Sequence, residues 1–226
     1  VSGGMNQTMA PNFALQDRFL EAFFKSTYRD KFYLTGGTAL ARFYFNHRES
    51  LDLDLFTNDQ SIDFYHVNQF VLSIFYSLDL KISSQANTDT FIQSIVLEQD
   101  GSSLKVDLVK DIPIHFGENL FRDGIWVDSL ANIGSNKILA VFGRTDAKDF
   151  IDLYWILHHT ELKFGDLFAL AQSKDTGLNE LYLAYALQNI DKISLFPKML
   201  KPFDWGDIQI YYQELSRQLL SQIKPG

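Results

Sequence analysis

In LDLDLF, residues 51–56, two aspartates fall where strand alternation sends both to one face, with Leu51, Leu53 and Leu55 on the other. Residues two apart on a strand lie about 7 Å apart at Cα, so the carboxylates repel unless a cation sits between them. LKVDLV, residues 104–109, repeats the alternation and sets Asp107 opposite Val106 and Leu108. If the two strands are neighbours, Asp52, Asp54 and Asp107 form a three-carboxylate centre for two Mg²⁺ ions. Such ions, about 3.5–4 Å apart, clamp the attacking and leaving oxygens of a phosphoryl or nucleotidyl transfer. The competing reading of Asp52 and Asp54 is the solvated face of an edge strand, where charge prevents unwanted pairing.

Two further stretches supply groups suited to a phosphate-bearing substrate. Gly36-Gly37-Thr38 follows the short apolar run FYL and precedes a helical pattern. Glycines at such a turn let the backbone approach a phosphate, and Thr38 adds a hydroxyl donor. Neither a Walker A sequence nor G-x-G-x-x-G is present, which excludes P-loop and Rossmann nucleotide sites. In NKILAVFGRTDAKDFIDLYWI, residues 136–156, Lys137, Arg144, Lys148 and Asp152 are spaced by seven, four and four, with Asp149 beside them. One continuous helix would put them on a single exposed face for a triphosphate, and Lys137→Ala would then change stability by no more than about 0.5 kcal/mol. Structural readings compete here as well: Asp149 as an acid in the first turn of a helix capped by Asp146, Asp152 paired with Lys148, and His47 and Arg48 bridged to Glu49 or an aspartate.

The elements that must position these residues follow from periodicity. Helical spacing covers 12–28, a strand 32–34, a helix from the glycine turn through about Tyr44, a strand 51–56 and a helix 63–77. Strands follow at 79–84, 90–98 and 103–109, the last two joined by the hairpin signal QDGS. Helices are expected at 129–142, 146–158, 164–173, 178–190 and 207–222. This order predicts an α+β fold, with a mixed core over 5–128 and a helical region over 129–226 that closes a nucleotide cleft. The aromatic stretches FYL, FYF and LYLAYAL are read as core.

Composition bounds the function classes. The chain has 226 residues, is 46% hydrophobic and carries no cysteine, which excludes disulfide scaffolds and thiolate chemistry and fits a reducing cytoplasm. Its net charge of -8 argues against coating nucleic acid by bulk electrostatics. Residues 1–130 hold 10 Lys+Arg against 17 Asp+Glu, and residues 131–226 hold 10 against 11. Acidity thus concentrates in the half with the paired aspartates, as a bound cation would demand. The opening VSGGMNQTMAPNFALQ is read as carrying no signal peptide, with Val1 to Gly4 a non-native leader ahead of Met5, and no apolar run reaches the roughly 18 residues that cross a bilayer.

The ordered set LTGGTAL, HRESLDLDLF, KVDL and NKILAVFGR with KDFIDLYWI resembles the motifs of the AbiEii/AbiGii toxin-type nucleotidyltransferases, a branch of the DNA polymerase β-like superfamily. The resemblance spans about residues 34–156. It implies that Gly36, Gly37 and Thr38 grip phosphates, Asp52, Asp54 and Asp107 hold Mg²⁺, Lys137 meets the triphosphate, and Asp149 and Asp152 are the acids of the last motif. It further implies transfer of an NMP from an NTP to an acceptor hydroxyl, RNA or tRNA among the candidates, by a cytoplasmic toxin with a cognate antitoxin. A nucleotide-binding module without catalysis and a metal-dependent phosphodiesterase are the alternatives.

Overall fold

The computed structural model describes residues 13–223; the expected leader, the start at Met5 and residue 12 of the first expected helix lie outside the described residues. The chain is α+β. Helix α1 (Phe13–Phe24) precedes β1 (Tyr33–Thr35), α2 (Gly36–Ala39) and β2 (Leu53–Thr57), then α3 (Phe64–Ser77) and strands β3 (Lys81–Asn87), β4 (Phe91–Leu97), β5 (Ser103–Lys110), β6 (Leu120–Arg122) and β7 (Ile125–Val127). Helices α4 (Leu130–Gly143), α5 (Ala147–His159), α6 (Phe164–Lys174), α7 (Glu180–Gln188) and α8 (Trp205–Gln222) complete it.

The strands form one mixed sheet in the order β3-β4-β5-β2-β1-β7-β6. The β2/β5 and β1/β7 pairs are parallel and the others antiparallel. Parallel pairing of β2 with β5 sets Leu53 against Val106, Asp54 against Asp107 and Leu55 against Leu108. All four apolar members are fully buried, and their burial locks a register that a one-residue slip would invert. The β4–β5 hairpin turns at Gly101, whose φ of +88° suits glycine.

Several elements differ from the periodic reading. Leu51, expected inside, is 56% exposed, because β2 begins only at Leu53 and alternation does not bind residues ahead of it. Helix α1 stops at Phe24, where Ser26 Oγ accepts from Tyr28 N at 3.0 Å and offers the backbone a turn instead. Beyond Ala39 the helix widens to a π-helical turn, Leu40–Phe45, closed by Asn46 at φ 48°. Strands β6 and β7 escape the sequence reading because three residues each are too few to show alternation; they flank Asp123-Gly124, both at positive φ.

Residues 136–156 are not one helix. Helix α4 ends at Gly143, Arg144 is extended, and Asp146 caps α5 by accepting from Lys148 N at 3.1 Å. The shared face expected for Lys137, Arg144, Lys148 and Asp152 therefore does not exist, and two helices meeting at a corner bring those residues together instead.

One hydrophobic cluster runs through sheet and helices, with Phe19, Phe23, Phe32 and Phe75 among its largest buried rings. In LYLAYAL only part of the aromatic core reading holds: Leu183, Ala184 and Leu187 are buried, while Tyr182 and Tyr185 are 59% and 56% exposed. Among the described residues no helix is long and apolar enough to cross a membrane.

Candidate active site

Strand β2 is buried at Leu53, Leu55 and Thr57 and half-buried at Asp54 and Phe56, so the apolar alternation drives Asp54 to the opposite face. Because β5 lies beside it in parallel register, Asp107 stands directly across from Asp54. Like charges in that arrangement destabilise a sheet, and the site shows the strain. Burial first, and the Asp107 carboxylate second, push the Asp54 pKa up to about 6. Asp107 Oδ1 is buried with no hydrogen-bond partner among the described residues.

Asp52 stands just outside this facing pair. It precedes β2, and its carboxylate reaches Lys105 Nζ at 3.7 Å. The same ammonium lies 2.7 Å from Asp107 Oδ2. Among the described residues no three acidic or histidine side chains are grouped as ligands of one ion; the expected set Asp52, Asp54 and Asp107 lines one cleft, with Asp54 and Asp107 as its facing pair. That pair suits Mg²⁺, which takes one or two carboxylates and completes its shell with water and substrate oxygens. The orphaned Asp107 oxygen and the crowding of Asp54 are what a cation between them would relieve. Lys105 was missed in the sequence, although the alternation that exposes Asp107 exposes the residue two before it on the same face.

Burial of Asp54 makes a pH prediction. Its folded pKa of about 6 lies above the value of about 3.9 for an unfolded aspartate. The folded chain therefore binds the proton more tightly, and in metal-free buffer this contribution to stability is present at low pH and lost as pH rises from about 4 through about 6. Asp54→Asn removes that dependence. The Tm of the variant minus that of the wild type should widen between pH 4 and pH 7, read by calorimetry with chelator present; a flat difference would show an ordinary carboxylate.

The glycine turn wraps this pair from the other side. Gly36 has φ +67°, and a Cβ there would lie 2.8 Å from Asp54 Oδ2; one on Gly37 would lie 2.2 Å from Arg48 Nη2. Both positions need glycine, the first for conformation as well as space. Thr38 is fully buried. Its hydroxyl donates to the Asp52 carbonyl and lies 2.9 Å from Ser50 Oγ, so it pins the entry to β2 and is not turned to the cleft as a phosphate donor.

The helix corner supplies a buried ion cluster. Asp149 accepts from Lys137 Nζ at 2.8 Å and from Arg144 Nε at 2.6 Å. Asp152 lies 2.7 Å from Lys137 Nζ, 2.7 Å from both Arg48 Nε and Nη2, and 2.8 Å from His47 Nε2. Burial alone would raise both carboxyls, but Lys137, with Arg144 at one and Arg48 at the other, holds Asp149 below and Asp152 well below the usual range. Burial would likewise discharge Lys137, and Asp152 and Asp149 keep it protonated. Burial chiefly lowers the His47 pKa, against the pull of Asp152. Lys148, expected to pair with Asp152, instead lies 3.4 Å from Asp146.

These groups converge on a cleft of about 280 Å³ between the sheet and the α4/α5 corner, lined by Gly36, Gly37, Ser50, Asp52, Asp54, Lys105, Asp107, Asn136, Lys137, Arg144, Lys148 and Asp149. Asp152 and Thr38 are not among its lining residues; both act from behind it. With Arg48 the cleft lining holds five cations and four carboxylates, a denser gathering of positive charge than the chain's net charge of -8 would suggest. A wider depression of about 1020 Å³ beside α7 and α8 holds one acidic residue and no paired carboxylates.

Solved structures share this architecture. JHP933 from Helicobacter pylori superposes with a TM-score of 0.56 at 20% identity, over 93% of this chain and 92% of that one. MenT4, a nucleotidyltransferase toxin of Mycobacterium tuberculosis, superposes at 0.57 and 14% identity, over 93% and 83%. These likenesses show the fold. No protein of curated function matches the sequence. The profile of the family described as "Nucleotidyl transferase AbiEii toxin, Type IV TA system" matches residues 18–224, nearly the whole chain and every element that builds the cleft, so this chain belongs to the AbiEii family of nucleotidyltransferase toxins.

Proposed function

We propose that the chain moves an NMP from an NTP to an acceptor hydroxyl in this cleft, as the toxin of a toxin-antitoxin pair. The observation that carries the reading is the facing pair Asp54 and Asp107 beneath a glycine turn and beside a cationic helix corner. Asp54 and Asp107 would hold Mg²⁺, which when bound supplies positive charge to the reacting phosphate and acidifies an acceptor hydroxyl; a second ion would draw on Asp52 and the triphosphate.

The chain's own groups do the rest. The backbone at Gly36 and Gly37 comes close to the phosphates because neither position carries a side chain. Arg144 and Lys148, partly exposed at the cleft wall, meet the triphosphate. Lys137 contributes a fixed positive field from the cleft floor, since Asp149 and Asp152 hold its ammonium in place. Asp107, the acid across from Asp54, is the candidate base for the proton of the attacking hydroxyl. The acceptor in this reading is RNA, with tRNA the first candidate, and the family's description as a toxin of a type IV toxin-antitoxin system supports a cognate antitoxin as the protein partner.

Incubation with each of the four α-³²P-labelled NTPs, Mg²⁺ and total bacterial RNA and protein tests the reading. Label should enter a macromolecule with equimolar pyrophosphate release. Metal-dependent NTP binding without pyrophosphate would identify a regulatory module, and nucleotide release from RNA without any NTP would identify a phosphodiesterase.

A further inference from the structure

A polar chain outside the carboxylate centre ends in this cleft on an amide NH₂ with no partner among the described residues. It begins at Asp128, fully buried, whose Oδ2 accepts from Asn132 Nδ2 at 3.0 Å. Asn132 Oδ1 accepts from Lys174 Nζ at 2.7 Å and from Phe116 N at 3.3 Å. The same Lys174 ammonium donates to Asn136 Oδ1 at 2.7 Å and lies 5.4 Å from the centroid of the Phe116 ring. Lys174 comes from α6, 38 residues away in sequence, and burial lowers its pKa despite Asp111 and Asp128 nearby.

The chemistry decides which way each amide points. An ammonium only donates, so an asparagine facing it must turn its oxygen toward it and its NH₂ away. For Asn132 both ends are accounted for. For Asn136 only the oxygen is: its Nδ2 has no partner among the described residues, and the residue lines the cleft. An amide with its oxygen fixed in this way is a donor and cannot rotate to become an acceptor. Its neighbours on the cleft wall include Ile133 and Ala140 on α4 and Phe56 on β2. Apolar walls with one oriented polar group are how proteins grip the flat, uncharged part of a ligand.

We infer that Lys174 orients Asn136 so that its NH₂ donates to the nucleoside half of the NTP. Asn136 is the contact and Lys174 a positioning residue behind it. The inference rests on the cleft being the NTP site, and it adds a recognition element that the carboxylates, the glycine turn and the cationic corner do not supply.

Binding is read by calorimetry, with Mg²⁺, for the four α,β-methylene NTP analogues and for inorganic tripolyphosphate, which has no nucleoside. Asn136→Asp keeps the Lys174 contact as an ion pair and removes the donor; Asn136→Leu removes the donor without adding charge. Both should lose about tenfold in affinity for the preferred analogue, and Asn136→Leu, which adds no charge, should bind tripolyphosphate like the wild type. Lys174→Met should fall between them and the wild type and flatten the preference among the four analogues, and Lys174→Arg should recover most of the loss. In the transfer assay these changes should raise KM and leave kcat unchanged. Unchanged analogue affinity in both Asn136 variants, or an equal loss on tripolyphosphate in Asn136→Leu, would overturn the inference while leaving the cleft assignment standing. Wild-type protein that binds neither probe would remove the cleft assignment and the inference together.

Discussion

Asp54→Asn should lower Mg²⁺-dependent nucleotidyl transfer by about 10²–10³-fold, the scale of losing one group that organises charge in a transition state. The fold should survive, because the change preserves shape and removes a carboxylate that sits opposite Asp107 with its pKa raised to about 6. Activity and stability should thus move in opposite directions, a pattern typical of groups held for function against packing. The same substitution decides the biological reading. Expression of the unmodified chain should slow bacterial growth, and Asp54→Asn at equal soluble level should not. Full transfer activity in the variant would end the metal-site proposal. Equal toxicity of both would leave a protein that acts by binding alone; RNA coating would be a poor explanation for it, given the net charge of -8.

The second large effect concerns stability. An exposed Lys137 would tolerate alanine, but Lys137 is 6% exposed and its ammonium lies between Asp149 and Asp152. Removing one partner of a buried ion pair strands charge in a poorly solvating interior, which costs about 3–5 kcal/mol. At about 2–4 °C per kcal/mol for a domain of this size, Lys137→Ala should lower the Tm by roughly 6–20 °C. Arg144 on Asp149 and Arg48 on Asp152 soften the loss, so the lower part of that range is the expected one. Thermal unfolding in metal-free buffer measures it directly; a shift below about 1 °C would mean that the ammonium is free for substrate. Transfer assays on the variant belong well below its Tm, so that lost activity is not lost fold.

Local chemistry made much of this protein legible before any contact was known. Alternation in LDLDLF and LKVDLV assigned Asp54 and Asp107 to the face opposite Leu53, Leu55, Val106 and Leu108, because strand period is a property of the chain alone. The glycine turn was visible for the same reason, as was the cap on α5 at Asp146. Those signals span a few residues and need no partner.

What the chain could not announce is which distant segment arrives beside each group. Parallel pairing of β2 with β5 is a tertiary event, and it alone brings Asp54 to Asp107 while leaving Asp52, one step outside the strand, to Lys105. Arg48 and His47 reach Asp152 across 104 and 105 residues, and that approach turns an apparent surface i,i+4 pair with Lys148 into part of a buried cluster. The corner at Arg144 does the same to the spacing of seven, four and four, which describes a face only while the helix is straight. Periodicity orients a side chain relative to its own backbone; whether a charge so oriented meets water, a cation or another carboxylate depends on burial, and burial is set by the packing of the whole molecule.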